Sequence, residues 1–378
     1  MVDKTVFFWF DSPPKVGKGA FNYVANNWGE QVYFVFNNDF RAERKASNWN
    51  DGDFGKASII ELFKSDNPQQ KILDIFSKHP NAVHIVNGFT TQIMQKVKNF
   101  VANPDANLIV LSERPDLMGN PIEKIVRSLY FNVKYRLIFN QFKNSVKAFL
   151  PLGKMGVNTF RKYGWNNDIM FPFMYNPQLR DISNECDRKV HTPLHFLYVG
   201  RFYHKTKGTD VLMKATNYLK GEWNLDLVGG YGPDADDVTE WAKEKSRVNY
   251  IGRWNSLEVT RNMQNYDVVI VPTKYDGWNL LVNEGLHAGI AVITTDEAVS
   301  HEVVDKSGAG LVVKANRPKE LAKAMQAAID NPELVSEWKA KTSQFVTKIS
   351  SPVVGQYLID IINYSIFKEG KRPVCPWL

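Results

Sequence analysis

Short apolar runs alternate with longer stretches of helical spacing along most of this chain, and that alternation restricts its fold more than any other feature. TVFFWF (5–10), QVYFVF (31–36), AVHIVNGF (82–89) and NLIVLS (107–112) are near-continuous apolar runs of strand length. Amphipathic sequence such as TTQIMQKVKNFV (90–101) lies between them. A strand without polar alternation is covered on both faces, so the pattern predicts parallel sheets sandwiched between helices. Over 172–193 it fails: PFMYNPQLRDISNECDRKVHTP is polar and bounded by prolines, as a linker is. It restarts with LHFLYVG (194–200) and continues through WNLDLVGG, VNYIG, YDVVIVP and IAVITT. The helical stretches TDVLMKATNYLK, DADDVTEWAKEK and SLEVTRNMQNY alternate with these.

A single hydrophobic core stops growing near ~250–300 residues; this chain has 378. Two doubly wound α/β halves are therefore expected. The first spans 1–178, a linker 179–193, and the second 194–350. The segment 351–378, containing PVVGQYLIDIINYSIF, forms a helix expected to pack back on the first domain. The two cysteines, Cys186 and Cys375, exclude a disulfide framework and a cysteine-based zinc site. MVDKTVFFWFDSPP reads as a first strand, and no run approaches the ~18 apolar residues of a membrane span. A cytoplasmic protein, at most resting on the inner face of a membrane, is expected. The net charge of +7 is dispersed. It suits phosphate-bearing substrates or anionic lipid, or simply keeps the surface soluble; no zinc-finger spacing, basic arm or RNA-binding signature points to nucleic acid.

In open parallel sheets, ligands bind beyond the carboxyl ends of the strands. Four strand–turn–helix junctions are candidates. After strand one, Gly17 and Gly19 precede a helix, fitting either an oxyanion loop or a tight turn. After Gly200, Arg201 and Lys207 bracket a turn closed by Gly208; two cations beside a helix start suit a diphosphate. Gly230-Tyr-Gly232-Pro233 permits close packing or a close ligand, with Asp234, Asp236 and Asp237 read as cap and first-turn acids. The fourth, DGWNLLVNEGLHAGIAVITT (276–295), is the most informative. Asp276-Gly277-Trp278-Asn279 makes the turn, Leu280 to Ala288 the helix, and the amides of Asn279, Leu280 and Leu281 an anion site. Asp276 outside the helix and Glu284 one turn inside it then accept hydrogen bonds from hydroxyls. The ligand implied is phosphorylated and rich in hydroxyl groups.

These residues resemble the retaining glycosyltransferases of the GT-B fold, closest in pattern to glycosyltransferase family 4 (glycosyl transferases group 1). That family carries two acids as E-x7-E around a turn, here Asp276 and Glu284. Gly200-Arg201 with Lys207-Gly208 is similar to its G-R and K-G pair with a longer spacer, Gly230-Tyr-Gly232-Pro233 to its G-x-G-P, and Gly17-x-Gly19 to its N-terminal glycine loop. The likeness is specific over 194–315 and general elsewhere.

The resemblance implies two Rossmann-like domains facing a central cleft and a nucleotide-diphosphate sugar as donor, with neither cofactor nor metal. It implies that Arg201 and Lys207 hold the diphosphate, helped by the turn Gly277-Trp278-Asn279 and the amides of Leu280 and Leu281. Glu284 binds the ribose and Asp276 the transferred hexose. Gly17 and Gly19 close over the phosphates, and Gly230 and Arg253 lie near the base. The acceptor, a glycan or lipid-linked saccharide of surface polysaccharide or lipopolysaccharide synthesis, touches Glu113 or Arg114. The rival readings are a catalytically degenerate sugar-nucleotide-binding subunit and a GT-B epimerase. Departures are Asp276 for Glu, Asn279 for Gly, no Gly-Gly before Glu302, and Ser112-Glu113-Arg114 where relatives carry a cleft histidine. IEKIVRSLYFNVKYRLIFNQFKNSVKAFL (122–150) mixes cations with aromatics. It fits peripheral contact with an anionic membrane, or two core-packed elements with ordinary polar faces.

Overall fold

A computed structural model describes residues 3–14, 17–40, 53–177 and 189–378. The chain divides into two compact units, Met1–Gln178 with Ser351–Pro376, and Leu179–Ser350 with Trp377–Leu378. Cys186 and residues 179–188 of the expected linker lie outside the described residues.

In the first unit the chain runs β1 (Val6–Phe10), α1 (Lys18–Asn27), β2 (Val32–Phe36), β3 (Ser58–Glu61), α2 (Pro68–Lys78), β4 (Val83–Asn87), α3 (Gln92–Val101), β5 (Asn107–Ser112), α4 (Pro121–Phe142), β6 (Val146–Pro151) and α5 (Gly153–Arg161). The strands form one parallel sheet in the order β3-β2-β1-β4-β5-β6. β1 is central and every one of its residues is buried, as VFFWF requires. Helix starts are set by local chemistry: Asn67 accepts from the Gln70 amide, Thr91 from Met94, and Asn120 forms a capping box with Glu123. Inside the sheet, His84 Nδ1 accepts a hydrogen bond from Trp9 Nε1 at 3.1 Å. Burial pushes the pKa of His84 down to about 3, so it is a neutral core residue.

The second unit runs β7 (Leu194–Val199), α6 (His204–Lys207), α7 (Thr209–Thr216), β8 (Trp223–Val228), α8 (Ala235–Lys243), β9 (Val248–Gly252), α9 (Ser256–Asn262), β10 (Val268–Val271), α10 (Leu280–His287), β11 (Ala291–Thr295), α11 (His301–Ser307), β12 (Gly310–Val313), α12 (Pro318–Asp330) and α13 (Pro332–Phe345). Its parallel order, β12-β11-β10-β7-β8-β9, places the first strand centrally, as in the first unit. Each sheet winds outward in both directions, and the order reverses between β1 and β4 and between β7 and β10. Where β10 begins, Asp267 is wholly buried. It accepts hydrogen bonds from the amides of His191 (3.2 Å) and His195 (2.9 Å), and pairs with the equally buried Lys339 Nζ at 3.2 Å.

After the second unit, α14 (Ser351–Ile362) belongs to the first. It packs closely on α1: a Cβ on Gly355 would stand 2.6 Å from Tyr23, and one on Gly19 2.3 Å from Ser351 Oγ. Gly19 does not precede α1, as the sequence suggested, but lies in its first turn, where the approach of α14 and of Asn176 leaves no room for a side chain. Gly17 is the residue that turns the chain, with φ +76° at the helix cap.

Candidate functional site

The switch point of the second sheet gathers the loops that follow β7 and β10. After β7 the chain turns at Gly200–Tyr203 into the single turn α6, which Gly208 ends with φ +68°. No other residue fits there, since a Cβ would lie 1.9 Å from the carbonyl oxygen of Pro272. The two loops are also joined by hydrogen bonds, the amides of Lys274 (2.8 Å) and Tyr275 (3.3 Å) both donating to Thr206 O. Lys207 is thereby carried to Asp276, and its Nζ donates to Asp276 Oδ2. Only 25% of the Lys207 side chain and 17% of that of Asp276 are exposed, so solvent screens this pair weakly.

Asp276 is the hub of the turn. Oδ1 accepts from the Trp278 amide at 3.2 Å, and Oδ2 also accepts from Asn279 Nδ2 at 3.2 Å. Asn279 takes φ +74°, the left-handed region that Asn tolerates better than most residues. Its Oδ1 caps the Leu281 amide at 3.2 Å, so that amide is not open to an anion, contrary to the sequence reading. The Trp278 indole is buried and donates from Nε1 to Asn283 Oδ1 at 2.8 Å. Only its backbone remains to meet a ligand. Glu284 stands on α10, half-buried, and its carboxylate has no protein partner among the described residues. A partly shielded carboxylate without a donor is an acceptor for ligand hydroxyls.

Arg201 is exposed on the β7 loop, its carbonyl held by the Tyr198 hydroxyl at 2.8 Å. Beyond β8, a Cβ on Gly230 would fall 2.0 Å from the Tyr250 hydroxyl, and one on Gly232 2.3 Å from Phe202 O. These glycines fit loop to loop, the packing alternative of the sequence reading. Arg253 donates from Nη2 to Gly230 O at 3.0 Å, bracing the same loop.

Asp234 occupies the cap position of α8 without capping it; its Oδ2 instead accepts from the His204 amide at 2.7 Å. Asp237 Oδ2 and Thr209 Oγ1 meet the two ring nitrogens of His204 at 2.7 and 2.6 Å. Sequence alone does not single out His204. It lies inside the lengthened spacer between Arg201 and Lys207, which is the available signal.

In the first unit, Gly17 follows β1, while Glu113 and Arg114 follow β5. Glu113 Oε1 accepts from the Tyr175 hydroxyl at 2.8 Å.

Residues 193–331 match the family model for glycosyl transferases group 1. This stretch is a glycosyl transferases group 1 domain. The chain is similar to the N,N'-diacetylbacillosaminyl-diphospho-undecaprenol alpha-1,3-N-acetylgalactosaminyltransferase of Campylobacter jejuni, 20% identical over 252 residues. That alignment spans 65% of this chain and 65% of the relative, less than two thirds of its length. Among solved structures, a glycosyltransferase from Rickettsia africae superposes with a TM-score of 0.72 at 14% identity, covering 97% of this chain and 99% of that one. Anabaena HepE in complex with UDP and glucose gives 0.67 at 12% identity, over 95% and 99%. The fold is GT-B. Arg201, Lys207, Gly230, Arg253, Asp276 and Glu284 all fall within the group 1 domain.

Proposed function

We propose that the chain transfers a hexose from a nucleotide-diphosphate sugar to a glycan or lipid-linked saccharide, with retention of configuration. One observation carries this reading: at the switch point of the group 1 domain, Lys207 and Asp276 form a shielded pair while the nearby helix holds Glu284 without a partner among the described residues. A diphosphate needs cations and hydroxyl groups need acceptors, and the domain offers both within two loops and one helix.

In this reading Lys207 and the exposed Arg201 take the donor diphosphate. They stabilise the negative charge that grows on the departing nucleotide, the role a metal fills elsewhere. Lys207 is held by Asp276 before substrate arrives, so little reorganisation is needed in the transition state. Asp276 accepts from hydroxyls of the transferred sugar and Glu284 from those of the ribose. With retention by front-face attack, the bond from the anomeric carbon to the phosphate oxygen breaks as the acceptor oxygen bonds on the same face. The acceptor proton passes to that phosphate oxygen. The Campylobacter relative's name specifies an undecaprenol-linked acceptor, which supports a lipid-linked saccharide here, and the same Anabaena protein solved in complex with UDP-glucose makes UDP-glucose the first donor to try.

The test is transfer from UDP-, GDP-, ADP- and dTDP-sugars to lipid-linked saccharides, with and without EDTA. One donor should support transfer that EDTA leaves unchanged and whose product keeps the donor's anomeric configuration. An inverted product would end the retaining reading, and binding without transfer to any acceptor would favour a degenerate binding subunit.

A further inference from the structure

Helix α4 presents two apolar faces where a helix covering a sheet needs one. Tyr135 and Phe142 are buried in the core of the first unit, with Phe131, Ile138 and Phe139 packed beside them. On the other side, Ile122, Ile125, Val126, Leu129, Val133 and Leu137 are 59–74% exposed. Their spacing keeps them on one stripe, about 22 Å long at the helical rise. Isolated apolar side chains are ordinary on a surface, but a continuous stripe marks a face that binds. Beside it, between α3 and α4, opens a groove of 690 Å³ lined by Tyr130, Val133, Leu137 and Phe142, with Lys98 and Lys134 also in its wall.

The charges around the stripe indicate what covers it. Arg136 lies within the stripe and Lys134 and Lys98 stand in the wall of the adjoining groove, while the one acid of α4, Glu123, is engaged by its capping box; Arg127 is paired with Asp116 at 3.7 Å, and Lys124 lies on the opposite side of the helix. A second copy of the chain laid on the stripe would bring Lys98, Lys134 and Arg136 no free acid from its own α4. An anionic bilayer answers all of them, accepting aliphatic side chains at the headgroup boundary and cations at the phosphates. We propose that α4 docks the first unit on an anionic lipid bilayer through this stripe. Docking needs no sugar chemistry and stands or falls apart from the proposed transferase activity.

The full chain, without nucleotide sugar, is floated with phosphatidylcholine vesicles prepared with and without phosphatidylglycerol. It should float with the anionic vesicles and remain behind with the neutral ones. Replacing Ile125, Leu129 and Val133 together by Gln keeps helix propensity and should weaken partitioning about a hundredfold. Lys134→Gln with Arg136→Gln should weaken it about fivefold per cation, as added salt should. Unchanged circular dichroism and Tm show that the variants are folded. Equal binding to both vesicle types, or a triple variant that binds like the natural chain, overturns the proposal. So does a dimer in sedimentation that the triple variant dissolves while vesicle binding is absent.

Discussion

At Glu284 stability and function should separate. Glu284 has no protein partner among the described residues, so Glu284→Ala should leave Tm unchanged or slightly raised while transfer falls about 10²–10³-fold, the scale for losing a group that binds reacting substrate. Lys207→Ala should lose as much activity and also cost about 1–3 kcal/mol, because the shielded Asp276 loses its cation while keeping the Trp278 amide and Asn279. Steady-state transfer beside thermal unfolding checks both; two fully active variants would remove the site assignment. Gly208→Ala should behave oppositely. A left-handed φ costs a residue with a Cβ about 1–2 kcal/mol, and the carbonyl of Pro272 clashes in addition. A destabilisation of about 2 kcal/mol or more is expected in denaturant unfolding of the second unit. These positions are legible because strand ends, glycines and charges lie next to one another in sequence. The capping of Leu281 by Asn279 is not, since a side chain that turns back on its own backbone looks in sequence like one facing solvent. The His204 cluster is hidden for another reason: its acids arrive from 30 and 33 residues away.

At the scale of elements, buried polar groups govern the response to acid and to substitution. His84 titrates near 3 in the folded chain and near 6.5 when unfolded. Below pH 6.5 the unfolded chain therefore binds a proton that the folded one refuses. Stability from this residue is full above pH 6.5 and falls with acid by at most about 1.4 kcal/mol per pH unit. His84→Gln retains an acceptor for Trp9 and should flatten unfolding free energy against pH between 6.5 and about 4. An unchanged slope would show that other groups dominate. In the second unit, Lys339→Met strands the wholly buried Asp267 carboxylate without its cation, and should cost about 3–5 kcal/mol in urea unfolding. Legibility of elements follows periodicity. β1, β2, β4 and β5 are continuous apolar runs, but α4 is apolar on two faces, which blurs the helical period. β6 follows it after three residues and merges in sequence with the same basic-aromatic stretch. β3, four residues at a sheet edge, lacks the length to announce itself.

For the whole molecule, the decisive property is that one winding order occurs twice. Strand–helix alternation makes parallel sheets legible, and doubly wound order follows when crossovers keep one hand and helices must cover both faces. What sequence patterns leave unstated is which loops become neighbours. That depends on the order reversing between β7 and β10, which brings Lys207 beside Asp276, 69 positions further along the chain. If this reversal makes the donor site, nucleotide binding should register there and not along the outer strands. With nucleotide at about 100 times its Kd, the second unit should gain about 2.7 kcal/mol. Hydrogen exchange should then slow at 200–208 and 276–284 and stay unaltered at β9 and β12. Among UDP, GDP, ADP and dTDP, a single nucleotide should produce this pattern. Arg201→Ala should weaken it, because the diphosphate then keeps Lys207 as its cation without the second charge. Protection that gathers instead at the edge strands would mean that the glycine loops and charges at the switch point serve packing alone.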